Sequence, residues 1–70
     1  MKNNIYLCRM RSGLKQYALG ASIGRTQTYI SKVENGVLKP PKEVLNTLAY
    51  HLQVNDPAYL LKPMDRRMRP

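Results

Sequence analysis

Glycine and proline divide this 70-residue chain into segments that are too short for anything but small helices. Single glycines stand at Gly13, Gly24 and Gly36, and the pair Pro40 and Pro41 follows. Glycine ends a helix readily because it reaches positive φ without a steric penalty. Proline cannot lie inside a helix since it lacks the N–H donor. Apolar residues recur between these breaks at helical spacing, without sustained strand-like alternation. The pattern predicts an all-α chain.

The breaks and the apolar spacing predict five short helices. We expect them at residues 3–12, about 15–23, about 27–35, 42–52 and 57–61. Thr26 and Asp56 are suitable N-caps for the third and fifth of these helices. Ile5, Cys8 and Met10 are expected on the inner side of the first. Residues 1–61 then form one small domain, and residues 62–70 form a basic, flexible tail.

Composition limits the classes of function that this chain can perform. The formal net charge of +8 predicts attraction to polyanions, either nucleic acid or an anionic membrane surface. No apolar run approaches the roughly 18–20 residues that span a bilayer, and no apolar signal core is present, so we expect a cytoplasmic protein. One cysteine, Cys8, and one histidine, His51, cannot form a disulfide or a zinc site. We therefore expect no metal and no cofactor. No candidate nucleophile has a neighbouring base at a recognisable spacing, so we expect no enzyme activity either.

The stretch QTYISKVENG, which begins at Gln27, has two different faces. Ile30 and Val33 are three residues apart and share the inner side of a helix, while Thr28 and Lys32 point outward. Together with the preceding helix and the turn at Gly24, this segment predicts a helix-turn-helix motif. In that motif the second helix enters the major groove of DNA and the first crosses the phosphate backbone.

The outward residues of this helix, together with Gln27 on the flank at its N-terminal end, are candidates for contacts with bases. Gln27 can pair bidentately with adenine, Lys32 suits the acceptors of guanine, and Thr28 can contact a base edge or a thymine methyl group. Their alternative role is that of ordinary solvated residues. Contacts with phosphate are expected from Gln16 at the start of the second helix and from residues that flank the end of the third. These flanking residues are Asn35, Lys39 and Lys42.

The segment GLKQYALGASIGRTQTYISKVENGVLKP resembles the Cro/C-repressor family, also called Xre-like. The resemblance extends from about residue 5 to residue 61. The matched residues are Gly13, Leu14, Gln16, Leu19, Gly24, Ile30, Ser31, Glu34, Gly36 and Pro40.

This resemblance implies a compact five-helix, lambda-repressor-like domain that binds duplex DNA, generally as a dimer on a two-fold symmetric operator. It implies that Gln16 holds a phosphate and that Gln27, Thr28 and Lys32 contact bases. It also implies an ion pair between Arg9 and Glu34, which explains an acid on the inner side of a helix. Two residues depart from the pattern. Gly20 replaces the usual alanine, and Arg25 stands in the turn, where we expect it to face solvent and add a phosphate contact.

Several functions remain open within this class of protein. The first is a small Cro-like repressor of the kind carried by phages and mobile elements. A restriction-modification controller or a self-regulating operon repressor fits equally well. The second is an antitoxin whose main partner is a protein, and its contact residues would be Tyr59, Leu60 and Leu61. The same three residues could instead cover the core or form a homodimer contact. A purely electrostatic binder of membranes or RNA lacks its expected signs. The basic residues of the tail either aid solubility or follow the DNA backbone. They are Lys62, Arg66, Arg67 and Arg69.

Overall fold

The computed structural model describes residues 1–65 and 67, and within them the chain forms four α-helices and one 3-10 helix. The α-helices are α1 (Asn4–Arg11), α2 (Gln16–Ser22), α3 (Gln27–Glu34) and α4 (Lys42–Leu52). The described part contains no β-strand, so the predicted all-α class is correct. No helix in this part of the chain has both the length and the apolarity needed to cross a membrane.

The fifth predicted helix is a 3-10 helix at Pro57–Leu61, so residues 1–65 and 67 contain four α-helices rather than the predicted five. Asp56 caps it as expected, because its Oδ1 accepts from the Ala58 amide at 3.1 Å. The amides of Tyr59 and Lys62 donate to carbonyls three residues earlier, which is the 3-10 pattern. Five residues that start with proline leave no room to establish the α-helical pattern.

The ends of the other helices follow local sequence signals. The Thr26 hydroxyl accepts from the Tyr29 amide at 3.1 Å and caps α3, as predicted. Gly24 follows α2 with φ +71°, a conformation that favours glycine. The end of α4 is different, because Gln53 adopts φ +59° there, a conformation that no neighbouring residue predicted.

The core is a single cluster of side chains from all five helices. Leu7 of α1 is fully buried, whereas Met10, which we expected on the inner side, is 41% exposed. Cys8 is half-buried against the core, and burial raises the pKa of its thiol while the positive charge of Arg11 lowers it to a smaller degree. The cluster comprises Ile5, Leu19, Ile30, Val33, Leu45, Leu48, Ala49, Leu52 and Leu60.

The two ends of the described chain are hydrogen-bonded to each other. The Asn4 amide donates to the Lys62 carbonyl at 3.0 Å, and the Met64 amide donates to the Lys2 carbonyl at 2.9 Å. Asn3 and Pro63 lie between them as an isolated antiparallel bridge. We call residues 2–4 and 62–64 the terminal clasp.

The clasp changes the predicted boundary between domain and tail. We expected a flexible tail from residue 62 onward, but residues 62–64 are held by backbone hydrogen bonds that join positions about 60 residues apart. Two basic residues of the expected tail, Arg66 and Arg69, lie outside the described residues. Arg67 is exposed and pairs with Asp65 at 3.4 Å.

Candidate nucleic-acid interface

Helices α2 and α3 are joined by a turn that packs directly onto α2. The Arg25 amide donates to the Gly20 carbonyl at 2.7 Å. A Cβ atom at Gly20 would lie 2.7 Å from the Arg25 carbonyl oxygen and 3.0 Å from that of Thr26. Real Cβ atoms essentially never approach backbone oxygens that closely. Gly20, which departs from the alanine usual in the resembling family, therefore permits the close approach of the turn that orients α3.

Helix α3 has one buried and one exposed face, as its sequence predicted. Ile30 and Val33 are completely buried, whereas Gln27, Thr28 and Lys32 are all exposed. The three predicted base-contacting residues therefore form one solvent-exposed surface of an eight-residue helix, with Thr28 and Lys32 opposite the buried side and Gln27 on the flank at the N-terminal end. We call this surface the α3 outer face.

Tyr29 lies at the edge of that face rather than on it. Its ring is half-buried against the core, and the Arg25 guanidinium stands 5.4 Å from the ring centroid. Its hydroxyl is buried and has no hydrogen-bond partner among the described residues. Arg25 is itself exposed, as expected, and its contact with phosphate stays a prediction.

A buried ion pair connects α1 with α3 and with the loop before α2. Arg9 Nε and Nη2 both donate to the Glu34 carboxylate, the second at 3.2 Å, and Nη1 donates to the Leu14 carbonyl at 2.7 Å. Glu34 is completely buried and Arg9 is 6% exposed. The pair implied by the family resemblance is thus present, and its fork geometry satisfies both carboxylate oxygens.

Gln16 is part of this network. It is the first residue of α2, where the prediction placed a phosphate contact, but its Nε2 donates to Glu34 Oε1 at 3.0 Å. An amide nitrogen carries two hydrogens, so one remains for a phosphate. The carboxylate of Glu34 therefore fixes the direction in which that hydrogen can point.

The other predicted phosphate contacts lie near the end of α3 and the connector after it. Lys39 and Lys42 are exposed, and Lys42 begins α4. Asn35 is also exposed, but its side chain is engaged on both sides. Its Nδ2 donates to the Ser31 carbonyl at 2.8 Å, and its Oδ1 accepts from Lys2 Nζ at 3.3 Å. Sequence reasoning did not identify Lys2, because no local pattern connects it with α3.

The charge of this region is one-sided. Glu34 is the only acidic residue among the first 42, and it is buried against Arg9. The turn after α2, helix α3 and the connector to α4 therefore expose Arg25, Lys32 and Lys39 without an exposed carboxylate among them. The first exposed acid along the chain is Glu43 of α4, which follows Lys42 and lines one hollow together with Arg25. Such an excess of positive charge attracts a polyanion.

The three residues predicted to contact another protein molecule differ in how deeply they are buried. Leu60 is completely buried in the core of its own chain and has no surface to offer a partner. Tyr59 and Leu61 are half-buried. The most exposed apolar side chains nearby are instead Val37 (74%) and Leu38 (38%) in the connector after α3. A groove of about 320 Å³ lies beside them, lined by Asn3, Val33, Gly36, Leu38, Lys39 and Leu61.

The fold and the site together define a small helical domain of the helix-turn-helix type. Comparison with models of known families matches residues 7–60 to a helix-turn-helix domain. The chain therefore belongs to the helix-turn-helix domain family, a class of DNA-binding domains. No curated protein matches the chain. The match does not distinguish the Cro/C-repressor branch, which stays a prediction from the resemblance.

Proposed function

We propose that this chain is a sequence-specific, double-stranded DNA-binding transcription regulator in which α3 contacts base edges in the major groove. The observation that carries the proposal is the α3 outer face. Gln27, Thr28 and Lys32 are exposed together on a helix whose opposite side is fully buried. The major groove admits such a helix, and its base edges present the donors and acceptors that these side chains complement.

The three side chains divide the recognition between them. Gln27, at the first turn, offers a donor and an acceptor to adenine, and Lys32, in the last turn, offers donors to the N7 and O6 of guanine. Thr28 lies between them and suits a thymine methyl group. A good bidentate pair distinguishes the correct base by about 1–3 kcal/mol. This face therefore has enough chemistry to specify a few base pairs.

A second set of side chains would position the domain without specifying sequence. Gln16, Arg25, Asn35, Lys39 and Lys42 flank α3 on both sides, and all except Gln16 are exposed. Hydrogen bonds to phosphate oxygens fix the register of a protein on the duplex. Binding should accordingly weaken as salt is added. A plot of log K against log salt concentration should have a slope of about −0.9 for each phosphate that is neutralised.

Within this class we propose a small Cro-like repressor that binds a symmetric operator as a homodimer. A face that specifies few base pairs gains affinity and specificity when two copies contact half-sites about one helical turn apart. Val37 and Leu38 supply apolar surface outside the α3 outer face that a second copy would cover. Sedimentation of the free and DNA-bound protein tests this part, since a strict monomer on DNA contradicts it.

The experiment that tests the whole proposal is selection of bound duplexes from a random pool at one stated salt concentration. The expected result is an inverted repeat. Gln27→Ala should relax a single position of each half-site, whereas Asn46→Ala, a matched change of an exposed amide on α4, should leave the selected sequence unchanged. Failure to recover any motif, with binding that vanishes near physiological salt, would contradict sequence-specific recognition.

The alternative is an antitoxin or restriction-modification controller of the same fold whose main partner is another protein. The exposed apolar pair Val37 and Leu38 is the observation that favours it. Either a protein partner or a second copy of the chain would cover this surface. A chain that stays monomeric on DNA, with a selected motif that lacks two-fold symmetry, would favour this alternative over the dimeric repressor.

A further inference from the structure

We propose that Lys2 is a further phosphate-contacting residue, which acts together with Asn35 at the C-terminal end of the recognition helix α3. The inference rests on the proposed function and adds to it a residue from a distant part of the sequence. It begins from one contact, in which Lys2 Nζ donates to Asn35 Oδ1 at 3.3 Å.

The contact leaves unused donors on both side chains. A lysine ammonium has three N–H groups, and two remain after the bond to Asn35. Asn35 Nδ2 donates one hydrogen to the Ser31 carbonyl, so its second hydrogen is free. A charged donor and a neutral amide donor thus lie side by side on the exposed end of α3. Two oxygens of one phosphate could then each accept a hydrogen bond, one from Lys2 and one from Asn35. A single lysine does not provide this arrangement.

The backbone around Lys2 is held against α3 from two sides. The Asn3 amide donates to the Glu34 carbonyl at 3.0 Å, and Asn3 Nδ2 donates to the Val33 carbonyl at 2.6 Å. On the other side, the Lys2 carbonyl accepts from Met64 in the terminal clasp. The ammonium also stands 4.7 Å from the centroid of the Tyr6 ring. Lys2 therefore loses less conformational freedom on meeting a phosphate than a lysine on an unsupported segment would.

The charge of Lys2 is not neutralised within the described residues, where it forms no salt bridge. Glu34, the acid nearest in sequence to Asn35, forms its salt bridge with Arg9. The competing explanation is that Lys2 only complements the negative end of the α3 dipole. In that case it would contribute to folding stability and not to DNA binding, and the two roles predict different measurements.

The test compares the salt dependence of DNA binding between the wild type and Lys2→Met. This variant retains an apolar stem against Tyr6 but removes the charge. The probe is a duplex labelled for fluorescence anisotropy, measured from low to moderate salt. We expect the slope of log K against log salt to become shallower by about 0.9 and the affinity at 0.1 M salt to fall roughly five- to tenfold, by a similar factor for every duplex sequence. Lys2→Arg should retain most of the wild-type slope.

Arg11→Met is the matched control, because it removes one exposed positive charge from the other end of α1. It should keep the wild-type slope. An equal loss in Arg11→Met would mean that the measurement reports net charge, and the inference would be overturned. It is also overturned if Lys2→Met unfolds more easily than the wild type yet keeps its slope, which is the result expected of a helix-dipole role.

A double-mutant comparison separates this inference from the proposed function. If Lys2 and Asn35 hold the same phosphate, Lys2→Met with Asn35→Ala should cost less affinity than the two single changes added together. Additive losses would contradict a shared phosphate. Wild-type protein that binds no duplex at any salt concentration would contradict the proposed function, whereas normal wild-type binding with an unchanged slope in Lys2→Met contradicts only the inference.

Discussion

Gly20 is the residue at which the smallest side chain matters most. In the middle of α2, alanine would normally stabilise a helix by about 1 kcal/mol relative to glycine. Here its Cβ would meet two backbone carbonyl oxygens, which cannot move aside as a flexible side chain can. We expect Gly20→Ala to lower the free energy of unfolding by about 1–3 kcal/mol, measured by urea denaturation.

Ala21→Gly is the companion variant, because Ala21 is the exposed neighbour in the same helix. It should cost about 0.5–1 kcal/mol through helix propensity alone. Opposite substitutions at adjacent positions would then both destabilise the protein. A Gly20→Ala protein more stable than the wild type would show that the turn does not need its close approach to α2.

The Arg9–Glu34 pair makes a second prediction at the scale of single residues. Arg9→Met leaves the fully buried Glu34 carboxylate without its main partner, so we expect the free energy of unfolding to fall by about 3–5 kcal/mol. Replacing both residues with methionine should recover part of that loss, because no buried charge then remains. Urea denaturation of both variants measures the difference.

Arg11→Met, an exposed change on the same helix, should alter stability by no more than about 0.5 kcal/mol. If the double variant is as unstable as Arg9→Met, the cost comes from lost packing rather than from an uncompensated charge.

At the scale of the helix, the N-terminus of α3 depends on a single hydroxyl. Thr26 Oγ1 satisfies the Tyr29 amide, one of the donors that lack a partner within the helix. We expect Thr26→Ala to cost about 1 kcal/mol of stability and Thr26→Ser to cost much less. Thermal unfolding followed by circular dichroism measures both.

Thr47 supplies the matched control for this change. It is exposed inside α4, where its hydroxyl only donates back to the Glu43 carbonyl. Thr47→Ala should be neutral or slightly stabilising, since such local bonds compete with the helix itself. A similar loss of stability in both variants would mean that the effect comes from removing any threonine and not from removing the cap of α3.

The helices also show which structural features a sequence can predict. The position of α3, its cap and its two faces follow from residues close to one another in the chain, so spacing was sufficient. The 3-10 form of Pro57–Leu61 was not predicted, because the apolar spacing within five residues is the same for a 3-10 helix and an α-helix. The exposure of Gln27, Thr28 and Lys32 agrees with the predicted helical wheel, whereas their contact with DNA stays a prediction.

The contacts that the sequence could not predict are those between distant residues. Asn3 caps the start of α1 through Oδ1 and the end of α3 through Nδ2, and 30 residues separate it from Val33. Nothing near Asn3 in the sequence indicates the second role. The Arg9–Glu34 pair, separated by 25 residues, was anticipated only because of the family resemblance.

At the scale of the whole molecule, the terminal clasp should contribute measurably to stability. Met64→Pro removes the amide that donates to the Lys2 carbonyl, and we expect a loss of about 0.5–1.5 kcal/mol beyond that of Met64→Ala, which keeps the amide. Urea denaturation gives the stability of both variants. Hydrogen exchange should show faster opening of the Asn4 amide in the proline variant only. Equal stability and equal exchange in the two variants would mean that the clasp bond has no net effect.

The terminal clasp also has a practical consequence for experiments on this protein. Because residues 2–4 are fixed beside the last turn of α3, any extension placed before Lys2 starts next to the α3 end of the interface. A reporter or purification handle at that point would compete with the duplex for space, and an acidic one would also occupy the cationic surface as an internal inhibitor. Binding constants measured with such fusions would underestimate the affinity of the unfused chain.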